Sequence, residues 1–125
     1  MGGRLVATKI GPDGLEDTDS QPGILREEAF AKPGLWAGRS TTEPGVTSGW
    51  HHHGEADTIV YVLSGTVVIE FGDDMVKAGE GEFLLIPSGL VHRESTPHDG
   101  PSMSVVIRAG GQGPPTVEVD GPNAR

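Results

Sequence analysis

Residues 45–65 read GVTSGWHHHGEADTIVYVLSG, and this stretch decides the fold. Its second half, Thr58–Leu63 (TIVYVL), is dense in β-branched and aromatic residues and stops at Ser64-Gly65, the mark of a strand ended by a turn. Thr66–Phe71 (TVVIEF) follows at once and ends at Gly72-Asp73-Asp74. Met75–Ala78, Phe83–Pro87, Val91–Thr96 and Met103–Arg108 are further strand-length pieces between Gly, Pro and Ser clusters. On the N-terminal side, Leu35–Thr42 is strand-like and stops at Glu43-Pro44-Gly45. Ile24–Ala31 fits a strand or one to two helical turns, and periodicity does not choose between them. Before it, Leu5–Ile10 is a short apolar–polar run, and Asp13–Gly23 reads as an acidic loop. After Arg108 the only strand candidate is Thr116–Val119. Short strands at such regular spacing, each closed by turn residues, predict an all-β sandwich or barrel.

Composition agrees. The 125 residues include 20 glycines and 10 prolines, too many for long helices, while the apolar content still permits a core built from short segments. The formal charge of −9 disfavours contact with phosphate backbones and anionic lipid, so no nucleic-acid or membrane partner is expected. With no cysteine, thiolate nucleophiles, disulfides and Cys-ligated metals are excluded. No basic-then-apolar leader opens the sequence and no apolar run approaches a membrane span, so a cytoplasmic protein is expected. Gly-rich stretches at 79–81 and 110–113 lack the following Lys-Ser/Thr of a phosphate loop, and no serine sits in a Gly-x-Ser-x-Gly setting.

The chemistry lies in the histidines. In a strand, residues i and i+2 share a face, so His51 and His53 aim together while His52 and Trp50 point away. Imidazole is a ready ligand for first-row divalent metals, and His92, arriving after Pro87-Ser88-Gly89, offers a third donor. Three adjacent histidines also fit a polar surface run, and spacing alone leaves the two readings level. His98, between Pro97 and Asp99, reads as a solvated loop residue. Trp36, Trp50, Tyr61, Phe71 and Phe83 are expected to fill the barrel.

Two spaced patterns resolve the histidine question. Gly45, five residues, His51, one residue, His53 and a closing Gly65 resemble the first cupin motif. Gly81, five residues, Pro87, one residue, Gly89, two residues and His92 resemble the second. The resemblance spans about Gly34 to Arg108 and implies a double-stranded β-helix (jelly-roll) barrel, a single cupin domain over residues 1–125. It further implies one divalent transition metal (Fe, Mn, Zn, Ni or Co) on His51, His53 and His92, and a homodimer, with Leu5–Ile10 or Thr116–Val119 as crossing segments.

The chain departs from the family pattern where an acidic ligand is usual, seven residues before Gly65. That position is Thr58; Asp57 precedes it, and Glu55 lies two further back. Asp57 is therefore an optional fourth ligand beside three histidines. Thr96 replaces a frequent asparagine, a position of packing. Three neutral imidazoles leave a divalent ion its full charge, and Asp57 lowers it by one, so the open positions favour a small anionic or chelating substrate. Glu94, two residues after His92, either shares the inward face as a general base with a raised pKa or twists out to a surface arginine. The resemblance implies a metal-dependent enzyme, dioxygenase-like or a lyase/isomerase; a non-catalytic binding or sensor module with a structural metal is the alternative.

Overall fold

The computed structural model of the chain describes residues 3–111 and 116–123. After a single 3-10 turn at Pro12–Gly14, every regular element among them is a strand. In chain order these are β1 (Glu16–Asp17), β2 (Ile24–Lys32), β3 (Leu35–Thr42), β4 (His51–His52), β5 (Asp57–Ser64), β6 (Val67–Phe71), β7 (Asp74–Ala78), β8 (Phe83–Ile86), β9 (Arg93–Ser95), β10 (Ser102–Ala109) and β11 (Val117–Glu118). Ile24–Ala31 is thus a strand, and β3 has the bounds expected for it. Leu5–Ile10 forms no strand, whereas the acidic stretch after it contributes the short β1, paired with β2.

One antiparallel sheet has the order β1-β2-β3-β10-β5-β8, and a second has the order β7-β6-β9. Bridges Thr47↔Ser95 and His51↔His92 carry the second sheet on to β4 and its partner β11. The arrangement is a double-stranded β-helix, or jelly roll. Gly65 makes the turn between β5 and β6 with φ +77, where a Cβ would lie 2.8 Å from Ser102 Cα and overlap the Pro101 carbonyl. Only glycine suits both conditions.

Strand alternation sorts the interior. On β5, Thr58, Val60 and Val62 point in; on β10, Ser102, Ser104, Val106 and Arg108 do. Val60, Val62, Leu84 and Ile86 meet Val67, Ile69 and Ala78 from the other sheet as an apolar core, each large side chain contributing roughly 1.5–3 kcal/mol by burial. Toward the other end the same strands present polar groups, including Ser40, Thr58, Ser104, Arg26 and Arg108. The barrel is thus closed by hydrocarbon at one end and lined with polar groups at the other.

The aromatic residues depart from expectation. Because Val60, Val62, Leu84 and Ile86 take the inner face, Tyr61 and Phe83 must take the outer one, where their ring centroids lie 4.6 Å apart with the planes tilted by 46° and Phe83 is exposed. Trp50 carries the Arg93 guanidinium over its ring at 4.7 Å, and Phe71 packs at the core edge. Only Trp36 reaches the polar cavity. The tail strand β11 pairs with β4 of its own chain, Val117 opposite His52 and Glu118 opposite His51, so this segment closes on the histidine strand.

Candidate metal centre

His51 and His92 face each other across β4 and the entry to β9. Each donates its backbone N–H to the other's carbonyl, at 2.9 and 2.8 Å. Residues paired this way present their side chains on one face, so both imidazoles enter the barrel together. His53, two residues after His51, joins them. The ring centroids lie 4.4 Å apart for His51–His92, 5.1 Å for His51–His53 and 5.0 Å for His53–His92. One ring nitrogen from each falls within 4.8 Å of the others, and all three residues are buried. A polar surface run is therefore excluded.

Two of the rings are also set in tautomer. His51 Nδ1 donates to the Gly49 carbonyl at 2.8 Å, and His92 Nδ1 to the Leu90 carbonyl at 2.9 Å. A carbonyl only accepts, so the proton sits on Nδ1 and the Nε2 lone pair is left for a ligand. Burial, and next the charge of His51, lower the His92 pKa to about 4, which favours the neutral, ligating form. His52 turns away, and its Nδ1 accepts the Gly54 N–H at 3.0 Å.

Asp57 is not brought into this group. With Thr58 pointing in, period-two geometry sends Asp57 outward, where its Oδ1 accepts the Ser88 N–H at 2.9 Å. It thereby pins the Pro87-Ser88-Gly89 turn that leads to His92. The inward position belongs to Thr58, 1% exposed, whose hydroxyl lines the histidine pocket without a hydrogen-bond partner. Three buried imidazoles, two of them with fixed protons, and no carboxylate among them suit a divalent transition metal that keeps positions open for further ligands.

Glu94 combines the two alternatives posed for it. It lines the pocket of the histidines, yet its Oε1 accepts from Arg26 Nη2 at 2.6 Å, and Arg26 is a buried β2 residue, not a surface one. The expected rise in its pKa does not occur. Burial pushes the carboxyl up, but the Arg26 charge and hydrogen bond, with His51 and His92, pull it below the ordinary glutamate value.

Three contributors were missed from sequence, namely Arg26, Arg108 and Trp36. The period-two run Ser104, Val106, Arg108 was the available signal for one of them. Arg108 is 7% exposed, lies 4.6 Å from the Trp36 ring centroid, and has an Nε–H without a hydrogen-bond partner. Burial first, and then Arg26, lower its pKa to about 10, so it remains a cation at neutral pH. Trp36 Nε1 donates to Glu28 Oε1 at 2.8 Å, and its indole lies over Gly38, the residue two further along β3. Trp36, His53 and Arg108 line both the small histidine pocket and a cavity of about 470 Å³ outside it, forming the neck between the two.

Comparison with known proteins agrees with this geometry. A 47-residue stretch, 35% of this chain, is 45% identical to the uncharacterized protein YdbB of Bacillus subtilis (strain 168) and spans 40% of that relative's length. The polyketide cyclase RemF of Streptomyces resistomycificus shares the fold with a TM-score of 0.75 at 16% identity, over 95% of this chain and 89% of that one. A variant of oxalate decarboxylase from B. subtilis superposes with a TM-score of 0.76 at 17% identity, over 94% of this chain and 34% of that one. Residues 38–108, which carry all three histidines and Arg108, match the Cupin_2 family, described as a cupin domain, and the chain belongs to that family.

Proposed function

We propose that this protein is a metal-dependent enzyme. In this reading His51, His53 and His92 hold one divalent transition metal (Fe, Mn, Zn, Ni or Co), and a small anionic or chelating substrate binds beside it. The observation that carries the reading is the convergence of three buried imidazoles, two of them with Nδ1 protons committed to backbone carbonyls. When bound, the metal supplies Lewis acidity at its open positions. The chain's own groups do the rest. Trp36 and Arg108 narrow the entry, the apolar core closes the far end, and Glu94, an ionised carboxylate in the pocket, accepts a proton as general base. A proton-accepting carboxylate favours lyase or isomerase chemistry and is compatible with a dioxygenase-like reaction. Two structural relatives named as enzymes, a cyclase and a decarboxylase, support an enzymatic use of this fold.

Elemental analysis of tag-free protein tests the metal, with His51→Ala, His92→Ala and Asp57→Ala alongside. The reading expects metal near one equivalent in the unaltered protein and in Asp57→Ala, and little in the histidine variants. Equal metal in all four refutes it. The alternative, a non-catalytic binding or sensor module with a structural metal, draws on the engagement of Glu94 by Arg26. Metal-dependent exchange of substrate hydrogen with solvent, lost in Glu94→Gln, separates the two.

We also read residues 1–125 as one domain acting in the cytoplasm as a homodimer, without nucleic acid or membrane partners. No helix among the described residues is long and apolar enough to cross a membrane. The outer face of β5 and β8 exposes Ile59, Leu63, Phe83 and Leu85, with Ile59 opposite Leu85 in register. These side chains carry no charge, so two copies of a chain of charge −9 can meet there with little repulsion. Sedimentation of the protein and of Phe83→Glu tests this; a Phe83→Glu variant as dimeric as the parent refutes it.

A further inference from the structure

Arg26, Arg39 and Arg93 each meet a carboxylate, from Glu94, Glu27 and Glu70 respectively. Arg108 is more deeply buried than Arg39 or Arg93, and no carboxylate pairs with it among the described residues. Its guanidinium stacks on Trp36, and its Nε–H has no acceptor. Glu94 and Asp19 support the charge from a distance, but a buried guanidinium without a directly bonded anion is costly, and proteins that keep one provide its partner from elsewhere. Here the partner cannot come from the apolar end of the barrel. The open side is the cavity of about 470 Å³ that Arg108 lines together with Trp36 and His53.

We propose that Arg108 is the carboxylate-recognising residue of this site, so that the substrate class is a small carboxylic acid anchored at the neck between Trp36 and the histidine cluster. The inference deepens, and rests on, the reading of the cluster as a metal-dependent active site, because it supplies the second point of attachment for the molecule held there. Charge selects the carboxylate over phosphate. Glu28 and Glu55 line the outer cavity and Glu94 the inner pocket, and Arg26 is already committed to Glu94. In the metal-free pocket one free guanidinium amid these acids suits a single negative charge, and a dianion meets more repulsion than attraction. The planar guanidinium, set over the indole at 4.6 Å, has terminal nitrogens for a two-pronged bond to a carboxylate. Trp36 and Arg108 act in recognition; neither is assigned a step in the chemistry.

The test uses defined probes on the full chain, as purified and after EDTA treatment. Succinamate carries one carboxylate, succinamide is its neutral counterpart, and inorganic phosphate is the competing anion. The chain has two tryptophans, so its indole N–H resonances are two: Trp36 at the neck reports binding, and Trp50, on Arg93, serves as the control. Succinamate is expected to shift the Trp36 signal saturably, with succinamide and phosphate each weaker by about tenfold or more, the scale of one charge-assisted hydrogen-bonded pair. Arg108→Gln should lose the same factor, Arg108→Lys should recover part of it, and metal content should not change in either. On EDTA-treated protein, succinamide or phosphate binding as tightly as succinamate overturns the proposal, as does undiminished succinamate binding by Arg108→Gln. If Arg108→Gln fails to fold, the contrast among the three probes on unaltered protein decides the matter alone. A protein that takes up no added divalent metal yet binds succinamate through Arg108 sinks the metal reading and leaves this inference standing. Metal binding without carboxylate preference does the reverse.

Discussion

Replacing Arg26 by methionine probes how the polar end of the barrel is held together. Arg26 is 5% exposed, and its Nη2 donates to Glu94 at 2.6 Å while Nη1 donates to the Asp19 carbonyl at 3.0 Å. Methionine keeps much of the volume and removes both bonds. Breaking one side of a buried pair costs about 3–5 kcal/mol, because the remaining charge is stranded; Glu94 keeps some water contact, its side chain being 21% exposed, which places the expected loss near the lower figure, about 3 kcal/mol. Replacing both members, Arg26→Met with Glu94→Met, should recover most of that loss, since an apolar pair of similar volume is close to neutral. The assay is urea unfolding of EDTA-treated protein, so that metal affinity does not enter. The pH dependence has a definite sign. Glu94 is depressed in the folded parent, so its pairing stabilises above the unfolded glutamate value near pH 4.3 and is lost as pH falls through the folded pKa. In Arg26→Met burial is opposed only by the His51 and His92 charges, the Glu94 pKa rises, and acidification relieves the stranded charge. The gap between parent and variant should therefore be widest near pH 7 and narrow toward pH 4. A loss below about 1 kcal/mol at pH 7, or a gap that widens on acidification, refutes the assignment of Arg26–Glu94 as a buried, energetically coupled pair.

Three further outcomes follow from the site and its surroundings. Asp57→Ala should leave metal content unchanged and cost about 1 kcal/mol in urea unfolding, the scale of one partly exposed hydrogen bond to Ser88; a loss of metal would return Asp57 to the ligand set. Gly38→Ala sets two effects against each other: alanine gains about 0.5–1 kcal/mol over glycine in a strand, but its Cβ would overlap the Glu27 carbonyl and meet Trp36 Cη2 at 2.5 Å, an overpacking cost of about 1–3 kcal/mol. The clash with backbone should win, lowering the midpoint of thermal unfolding and loosening the Trp36–Arg108 stack, and a variant as stable as the parent contradicts this packing. His92, lowered to about 4, binds its proton less readily in the folded protein than in the unfolded chain. Its contribution is thus intact above about pH 6.5 and lost as pH falls toward 4, and proton NMR of EDTA-treated protein should show the His92 imidazole titrating well below the ordinary histidine value.

Much of this was legible in the residues. Turn clusters cut the chain into strands whose bounds the structure shifts by a residue or two, and His51-x-His53 could share a face only because strands alternate. Glycine at 65 marked a turn that no other residue suits. Harder to read was which face of each strand looks inward. TIVYVL alternates equally well in either sense, and the inner choice of Val60 and Val62, and with them Thr58, follows from what packs opposite them on β6 and β7. That choice moved Asp57 away from the histidine cluster and turned Tyr61 and Phe83 to the outer face.

Read alone, the residues establish an all-β chain cut into short strands by turn clusters, acidic and without cysteine, whose histidines at 51, 53 and 92 are its most concentrated chemistry. These properties are local, because turn propensity, strand period and residue chemistry act over a few positions. Tertiary structure alone decided that Arg26 reaches Glu94 across 68 positions of chain, that Arg108 lies under Trp36 without a carboxylate, and that Thr58 rather than Asp57 faces the histidines. The physical reason is that burial and charge pairing depend on which strands become neighbours, and that is set by the closure of the whole barrel.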